Sequence, residues 1–540
     1  MKRYLGLIGL FLLPLIPLFL TSDMVHTHDG PVHIARIAAY VKALADGQLP
    51  PRWAGELNYG YGTPIFIFMY PLPYLLGSLF VALGANLALS FKLILSTSFV
   101  LSGIFFYGWM RALTKNNTFA LVTTFVYQFA PYRFAELTVR GSMAEAFGFA
   151  FTPLVLWMLN RFHIKPTAGR AAAISLATLL LVLSHNSISL VFFGIICLYV
   201  LLTKTSARTK LWSGAALAAG LGLAAFYWIP ALIEHRYTYG DLFMKDMFRD
   251  HFAPLSQFFL PNFTNAESLQ TGGVVMWLGL TQTLAIPVAV WALLKKKVKG
   301  TEKTLIVFGL MTFAVSMFFM TPVSKILWEH ISFLRQFQFP WRLLASCALA
   351  TAVLSLAYPA IPTLKTKAGI VLLLVITMLS TLYYWNPPLG FDKIDEGYFW
   401  DYPLNTTFFG EADVIWSAGP AGNFPKDRIE VVSGHALVTN FVRHTDWHTF
   451  TVEAHGQTTL VSHTQYFPGW RVVVDGQKVP IQFQDQNARG LLLFTVPDGI
   501  HTVEIRFGRS KTRLAAELIS VITALSLIGA IRIWGKKKLA

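Results

Sequence analysis

Along most of this chain the apolar residues come in long, nearly unbroken runs, the pattern of helices that are hydrophobic all round rather than on one face. Runs of about 20 such residues match the length needed to cross roughly 30 Å of hydrocarbon. Their spacing predicts about twelve spanning helices, near residues 4–20, 88–110, 117–130, 147–160, 171–184, 188–203, 211–233, 272–294, 304–320, 342–361, 368–385 and 513–534. Residues 64–83 are as apolar, but Pro64, Pro71 and Pro73 argue against one continuous helix there. After residue 385 the texture changes to alternating runs such as TLVSHTQYF, WRVVVDG, GLLLFTV and HTVEIRF. Asp475-Gly476 and Asp498-Gly499 read as hairpin turns between such strands. The pattern predicts a polytopic α-helical membrane protein with a C-terminal β-sandwich or jelly-roll domain. Its parts are residues 1–385, with a long first loop at 22–87, a β domain at 386–512, and a last helix with a basic tail at 513–540.

Composition supports lipid as part of the solvent, since 54% of residues are hydrophobic and 13% charged. The net charge of +16 does not point to nucleic acid, because Lys and Arg cluster in the connectors between apolar runs. Lys2 and Arg3 place the N-terminus in the cytoplasm, and the first apolar run reads as an uncleaved helix, lacking a small-residue cleavage site. If residues 64–83 are re-entrant or interfacial, the later clusters all fall on the cytoplasmic side. These are Arg111/Lys115, Arg161/Lys165/Arg170, Lys204/Arg208/Lys210, Lys295–Lys299, Lys365/Lys367 and Lys536–Lys538. Cys197 and Cys347 both lie in apolar runs, so no disulfide framework or CxxC metal site is indicated.

The remaining ionisable residues then gather on the outer face. Asp23, His26, His28, Asp29 and His33 follow the first helix closely. Asp29 precedes Gly30-Pro31 and an amphipathic stretch expected to lie along the membrane surface, with His33 one turn on. Asp29 is either a helix N-cap or a carboxylate that accepts a proton or holds a cation. His26, His28 and His33 are a candidate three-histidine zinc site, although their spacing matches no strong motif. In QFAPYRFAELTVRGSMAEAF, Arg140 is a candidate phosphate fork and Glu145 a candidate second carboxylate, set against a plain Glu136–Arg140 ion pair. Arg335 and Arg342 in LRQFQFPWRLL are interfacial cations or snorkelling residues, and His185-Asn186 is a polar turn near the same face. Trp447 and Trp470 are sandwich core or sugar-stacking residues.

THDGPVHIARI and GQLPPRWAGELNYGYGTPIFIFMYPLPYLL, with TVRGSMAEAF, SHN, QFQFPWRLL and YFPGWRVVVDG, resemble the bacterial "6-pyruvoyl-tetrahydropterin synthase-related" membrane family. That family is similar in layout to YfhO-type proteins and to the GT-C glycosyltransferases. The resemblance implies a GT-C-like fold in a bacterial cytoplasmic membrane, with acidic sites in the first two outer loops, which Asp29 and Glu145 match. The expected function is transfer of a sugar from a polyprenyl-phosphate donor to an extracytoplasmic glycan, lipid or protein. Asp29 would act as base with His33 assisting, Glu145 would be the second carboxylate, and Arg52, Arg140, Arg342 and His185 would bind lipid phosphate and sugar. No cofactor is required; a divalent cation, Mg or Mn, would fall to Asp29, His28 and His33, and the first loop has no Asp-x-Asp. A lipid-linked glycan flippase or transporter, and a noncatalytic envelope-assembly scaffold, are the rival readings. The flippase predicts charges lining the spans.

Overall fold

The computed structural model describes residues 2–261 and 274–535. Several apolar runs begin their helices at a polar residue that caps the first turn. Asn86, Asn116, Ser206, Thr366 and Ser510 each accept a backbone N–H in the first turn of the helix that follows. A helix lies within each predicted span, but the one expected near 272–294 begins only at Leu280, residues 274–279 being irregular and 272–273 outside the described residues, as are Lys536–Lys538. Among the described residues five are long and apolar enough to cross a membrane: Leu87–Thr114, Met143–Ile164, Gly300–Met320, Pro340–Ala360 and Lys511–Trp534. The pair Ala207–Leu223 and Ala225–Tyr237, bent by 69°, makes a sixth if it is one span. The others are shorter than a full crossing, as in Ala168–Ser184, Asn186–Leu202 and Lys367–Leu379.

The proline-rich segment breaks as its sequence demands. Ile65–Phe68 and Pro71–Ala82 are separate helices, and Tyr70, forced away from helical ψ by the following Pro71, makes the corner. The helix Gly30–Ala45 departs from the expected surface-lying amphipath. Ten of its residues are buried, because its alanines and isoleucines let Pro71–Ala82 and Leu87–Thr114 pack on it.

Strands β1 (Met24–Val25) and β2 (Phe391–Asp392) tie the start of the first loop to the chain leaving the helical region. The remaining strands are β3 (Ile429–Arg443), β4 (Trp447–Gln465), β5 (Trp470–Val474), β6 (Gln477–Val479), β7 (Leu491–Val496) and β8 (Gly499–Phe507). They pair in one antiparallel sheet of order β3-β4-β8-β5-β6, with β7 on β4. A sandwich was expected, but the long β4 holds β3 along one edge and β8 then β7 along the other, which keeps all six in one sheet. Asp475-Gly476 is a two-residue hairpin turn, both residues at positive φ. Asp498-Gly499 is not a hairpin: it interrupts β7 and β8, which pair with successive parts of β4. Pro497 has no N–H to continue the ladder, and Gly456 at φ +83° accommodates the break on β4.

The sheet does not make its core alone. Trp53, Ile67 and Phe68 of the first loop are buried in the same cluster as Phe450, Trp470 and Phe507. The Trp53 ring meets Trp470 edge-on at 5.2 Å. Trp470 is thus core and out of reach of a glycan, whereas Trp447 is half-buried and stacks on His444 at 4.2 Å. Asp46 accepts from His444 at 2.9 Å, and Arg443 donates to the Gly55 carbonyl at 2.7 Å, so the predicted β domain is welded to the first loop.

Candidate active site

Two outer loops are pinned together backbone to backbone. The amides of His28 and Asp29 donate to the carbonyls of Val139 and Arg140 at 3.0 and 2.9 Å. Ala135–Arg140 winds as a π-helix, a turn type common at functional sites, and ends at Gly141 with φ +67°. Only glycine suits that place, since a Cβ there would also come within 2.3 Å of Thr27 Oγ1. The chain then enters Met143–Ile164, which puts Glu145 in a first helical turn and fully out of solvent.

Glu145 is the hub of a buried ion network. Its Oε1 receives Arg140 Nη1 at 2.9 Å and Arg342 Nε at 2.8 Å, with His185 Nε2 at 3.7 Å. Tyr132 Oη donates to the other oxygen at 3.4 Å. The Glu136–Arg140 pair also forms, at 2.7 and 2.9 Å, so the local ion pair and the network use one guanidinium. Burial pushes the Glu136 carboxyl up, with Arg140 pulling the other way. Arg140 lies over Trp341 at 4.9 Å and Arg342 over Phe339 at 4.8 Å, which screens both from water.

Asp29 stands at the mouth of this network. Its Oδ2 is 4.0 Å from Arg140 Nη2 and its side chain is 44% exposed. It occupies the N-cap position of Gly30–Ala45 but makes no side-chain cap hydrogen bond, which removes the capping account of it. His33 is buried, with Nδ1 3.0 Å from Tyr74 Oη. Tyr74 stacks on Tyr70 at 5.7 Å and Tyr70 on His185 at 5.1 Å, so a column of rings runs from the helix behind Asp29 to Glu145. His185 also receives the Ile188 amide at 3.4 Å, joining the expected polar turn to the site.

Desolvation holds the His33 ring down to about 3, with Asp29 opposing and Arg36 reinforcing. His448 in β4, buried beside Trp470, is likewise held down to about 3 by burial. Each is neutral in the fold but takes up a proton in the unfolded chain below its usual 6.5, so its share of stability is present above pH 6.5 and lost as pH falls toward 3. Between pH 7 and pH 5 each should cost about 2 kcal/mol. The apparent melting temperature in detergent should fall accordingly, and His33→Gln or His448→Gln should flatten that dependence; an equally steep profile in both variants would contradict the assignment.

The structure separates Arg52 from the other expected residues. Its Nη2 donates to the Phe226 carbonyl at 2.6 Å and lies 3.7 Å from Glu517 of the last helix, because Gln48 and Trp53 hold that part of the loop against the sheet. The expected histidine metal site does not assemble either. His26 pairs with Asp392 at 2.9 Å, His33 turns to Tyr74, and His28 is exposed. Among the described residues no three His, Cys, Asp or Glu side chains, Asp29, His28 and His33 included, are grouped to hold a metal ion.

Arg36 was missed by the sequence reading. It lies seven residues after Asp29 and three after His33, on the same helical face. It is buried, donates to Thr406 Oγ1 at 3.0 Å and to Tyr74 Oη at 3.4 Å, and also bonds the Thr406 carbonyl. These partners are all uncharged. The helical spacing Asp29, His33, Arg36 was the available signal; Thr406, 370 residues away in the chain, was not foreseeable.

Residues 66–387, more than half of the chain, match the family described as 6-pyruvoyl-tetrahydropterin synthase related domain, membrane protein. An uncharacterised protein of Lactococcus lactis subsp. cremoris (strain MG1363) is 24% identical over 216 residues, 38% of this chain and 35% of that protein. The aligned part is thus about a third of that relative. Among solved structures, the arabinofuranosyltransferase AftD from Mycobacteria is 17% identical, covering 74% of this chain and 28% of that one, with a TM-score of 0.41. The Archaeoglobus fulgidus oligosaccharyltransferase tethered to an acceptor peptide is 15% identical, covering 73% and 56%, with a TM-score of 0.43. Neither likeness is close enough to build on.

Proposed function

The chain belongs to the 6-pyruvoyl-tetrahydropterin synthase-related family of membrane proteins, and from that premise we propose that it is a GT-C-type glycosyltransferase using a polyprenyl-phosphate sugar and an extracytoplasmic acceptor. The observation that carries this reading is Asp29: a half-exposed carboxylate, free of capping duty, held at the edge of a buried Arg–Glu network. Asp29 accepts the proton of the acceptor hydroxyl as that oxygen attacks the anomeric carbon. The bond from that carbon to the phosphate oxygen breaks, and the polyprenyl phosphate leaves with the electron pair and one more negative charge. A cation not already neutralised must meet that charge.

Arg140 and Arg342 are both held by Glu145, so they shape the site more than they neutralise a ligand. Arg36, held by uncharged partners, is the better seat for the phosphate. His33, neutral, fixes Tyr74 and through it Arg36. Arg52 is left out of the mechanism, and Glu145 is a positioning residue.

The test compares cells with and without the gene. Loss of one envelope glycan with build-up of its polyprenyl-linked sugar supports the reading; no change in either overturns it. Arg36→Gln should reduce transfer about 10- to 100-fold, the worth of one charged hydrogen bond, and Arg36→Lys should restore part of it. Full activity in Arg36→Gln would move the phosphate elsewhere.

A further inference from the structure

The helix that carries Glu145 in its first turn carries Arg161 in its last, about 24 Å away at 1.5 Å per residue. At that opposite end a cavity of 460 Å³ opens between Arg161, Lys165 and Arg170, and among the described residues no acidic side chain lines it. Arg170 is partly spoken for: its Nη1 donates to the Arg161 and Lys165 carbonyls at 2.6 and 3.2 Å, closing the end of Met143–Ile164. Arg161 and Lys165 are exposed and, among the described residues, have no carboxylate beside them in the cavity. Their alternative account is that they merely complement the negative end of their helix. That does not explain a cavity, nor why the N-terminal turn of the next helix, Ala168–Ser184, lines it through Gly169 with its positive end.

The cavity is also graded in polarity. Met158 and Ala173 line it one helical turn inward from Arg161 and Arg170, on the side of the apolar helix bodies. Gly535 completes the rim, directly after Lys511–Trp534, a candidate span whose apolar window is only 6% buried within the protein. A lipid-facing helix therefore ends at the edge of a basic cavity with an apolar floor. A freely diffusing anion has no use for that floor, and a zwitterionic headgroup would set its own cation beside Arg161 and Lys165, which no acidic side chain among the described lining residues offsets.

We propose that this cavity binds the phosphodiester headgroup of an anionic glycerophospholipid, with Arg161 and Lys165 on the phosphate and Met158 and Ala173 against the glycerol and upper acyl chain. The site is separate from the glycosyltransferase reading and stands or falls without it.

The full chain, purified in detergent, would be titrated with phosphatidylglycerol, with phosphatidylcholine and with inorganic phosphate, and retained ligand read by native mass spectrometry. Both lipids present the same phosphate, but choline would set a further cation among Arg161, Lys165 and Arg170, so phosphatidylglycerol should be retained at least ~10-fold over phosphatidylcholine, and millimolar phosphate should not displace it. The double variant Arg161→Gln/Lys165→Gln should bring retention down to the phosphatidylcholine level; Arg170 is left intact because it closes the helix end. Should that variant melt early, Lys165→Gln alone, an exposed change, should still lower retention several-fold. Equal retention of both lipids, displacement by phosphate, or unchanged binding in the variants would each overturn the proposal.

Discussion

Asp29→Asn is expected to lower sugar transfer by at least ~100-fold while leaving the amount and melting temperature of the folded protein unchanged. Asparagine keeps the shape of the side chain but cannot take the acceptor's proton. The fold loses little, since the Asp29 side chain makes no cap hydrogen bond and its contact with Arg140 is long, at 4.0 Å, and half in solvent. The backbone bonds that pin this loop, Asp29 N to Arg140 O and His33 N to Asp29 O, are independent of the side chain. Loss of the product glycan in cells that contain normal levels of the variant is the expected readout. Full activity would eliminate Asp29 as the base and return the scaffold reading.

Glu145→Ala should act in the opposite way, through the fold. It removes the shared acceptor of two buried guanidiniums, leaving Arg342 with the Phe337 carbonyl and Gln338 as its polar partners and Arg140 with Glu136 and the distant Asp29. Breaking a buried ion cluster by deleting one partner typically costs about 3–5 kcal/mol, because the remaining charges stay desolvated. A large fall in melting temperature and in yield of monodisperse protein is expected. The double replacement Glu145→Met/Arg342→Met should recover much of that stability, having removed a charge of each sign, but not transfer. A stable Glu145→Ala protein without activity would instead give Glu145 a direct part in the chemistry.

The segments that could be placed from sequence were those whose cause is local. Twenty-residue apolar runs, polar caps such as Asn86 and Ser510, the break before Pro71 and the turn at Asp475-Gly476 each follow from a few adjacent residues. Asp498-Gly499 looked like the same turn, yet its meaning depended on β4, whose length and two successive partners are properties of the sheet. The same holds for the strand-rich region as a whole. Its alternation pointed to strands, while Trp53, Ile67 and Phe68, expected in the long first outer loop, turned out to complete its core.

For the candidate site, the sequence by itself offered candidates on chemical grounds: Asp29 and His33 one helical turn apart, Glu136, Arg140 and Glu145 in one short stretch, Arg342 at the start of a helix. What the tertiary structure decided was how these charges are apportioned. Arg342 and Glu145 meet across 197 residues of chain, which makes Glu145 a hub instead of an open carboxylate. Arg52 is drawn away to Glu517, and Arg36 is brought in against Tyr74 and Thr406. The physical reason is that hydrophobicity and turn chemistry act over a few residues, whereas the state of a buried charge is set by whatever else the fold places within a few ångströms of it.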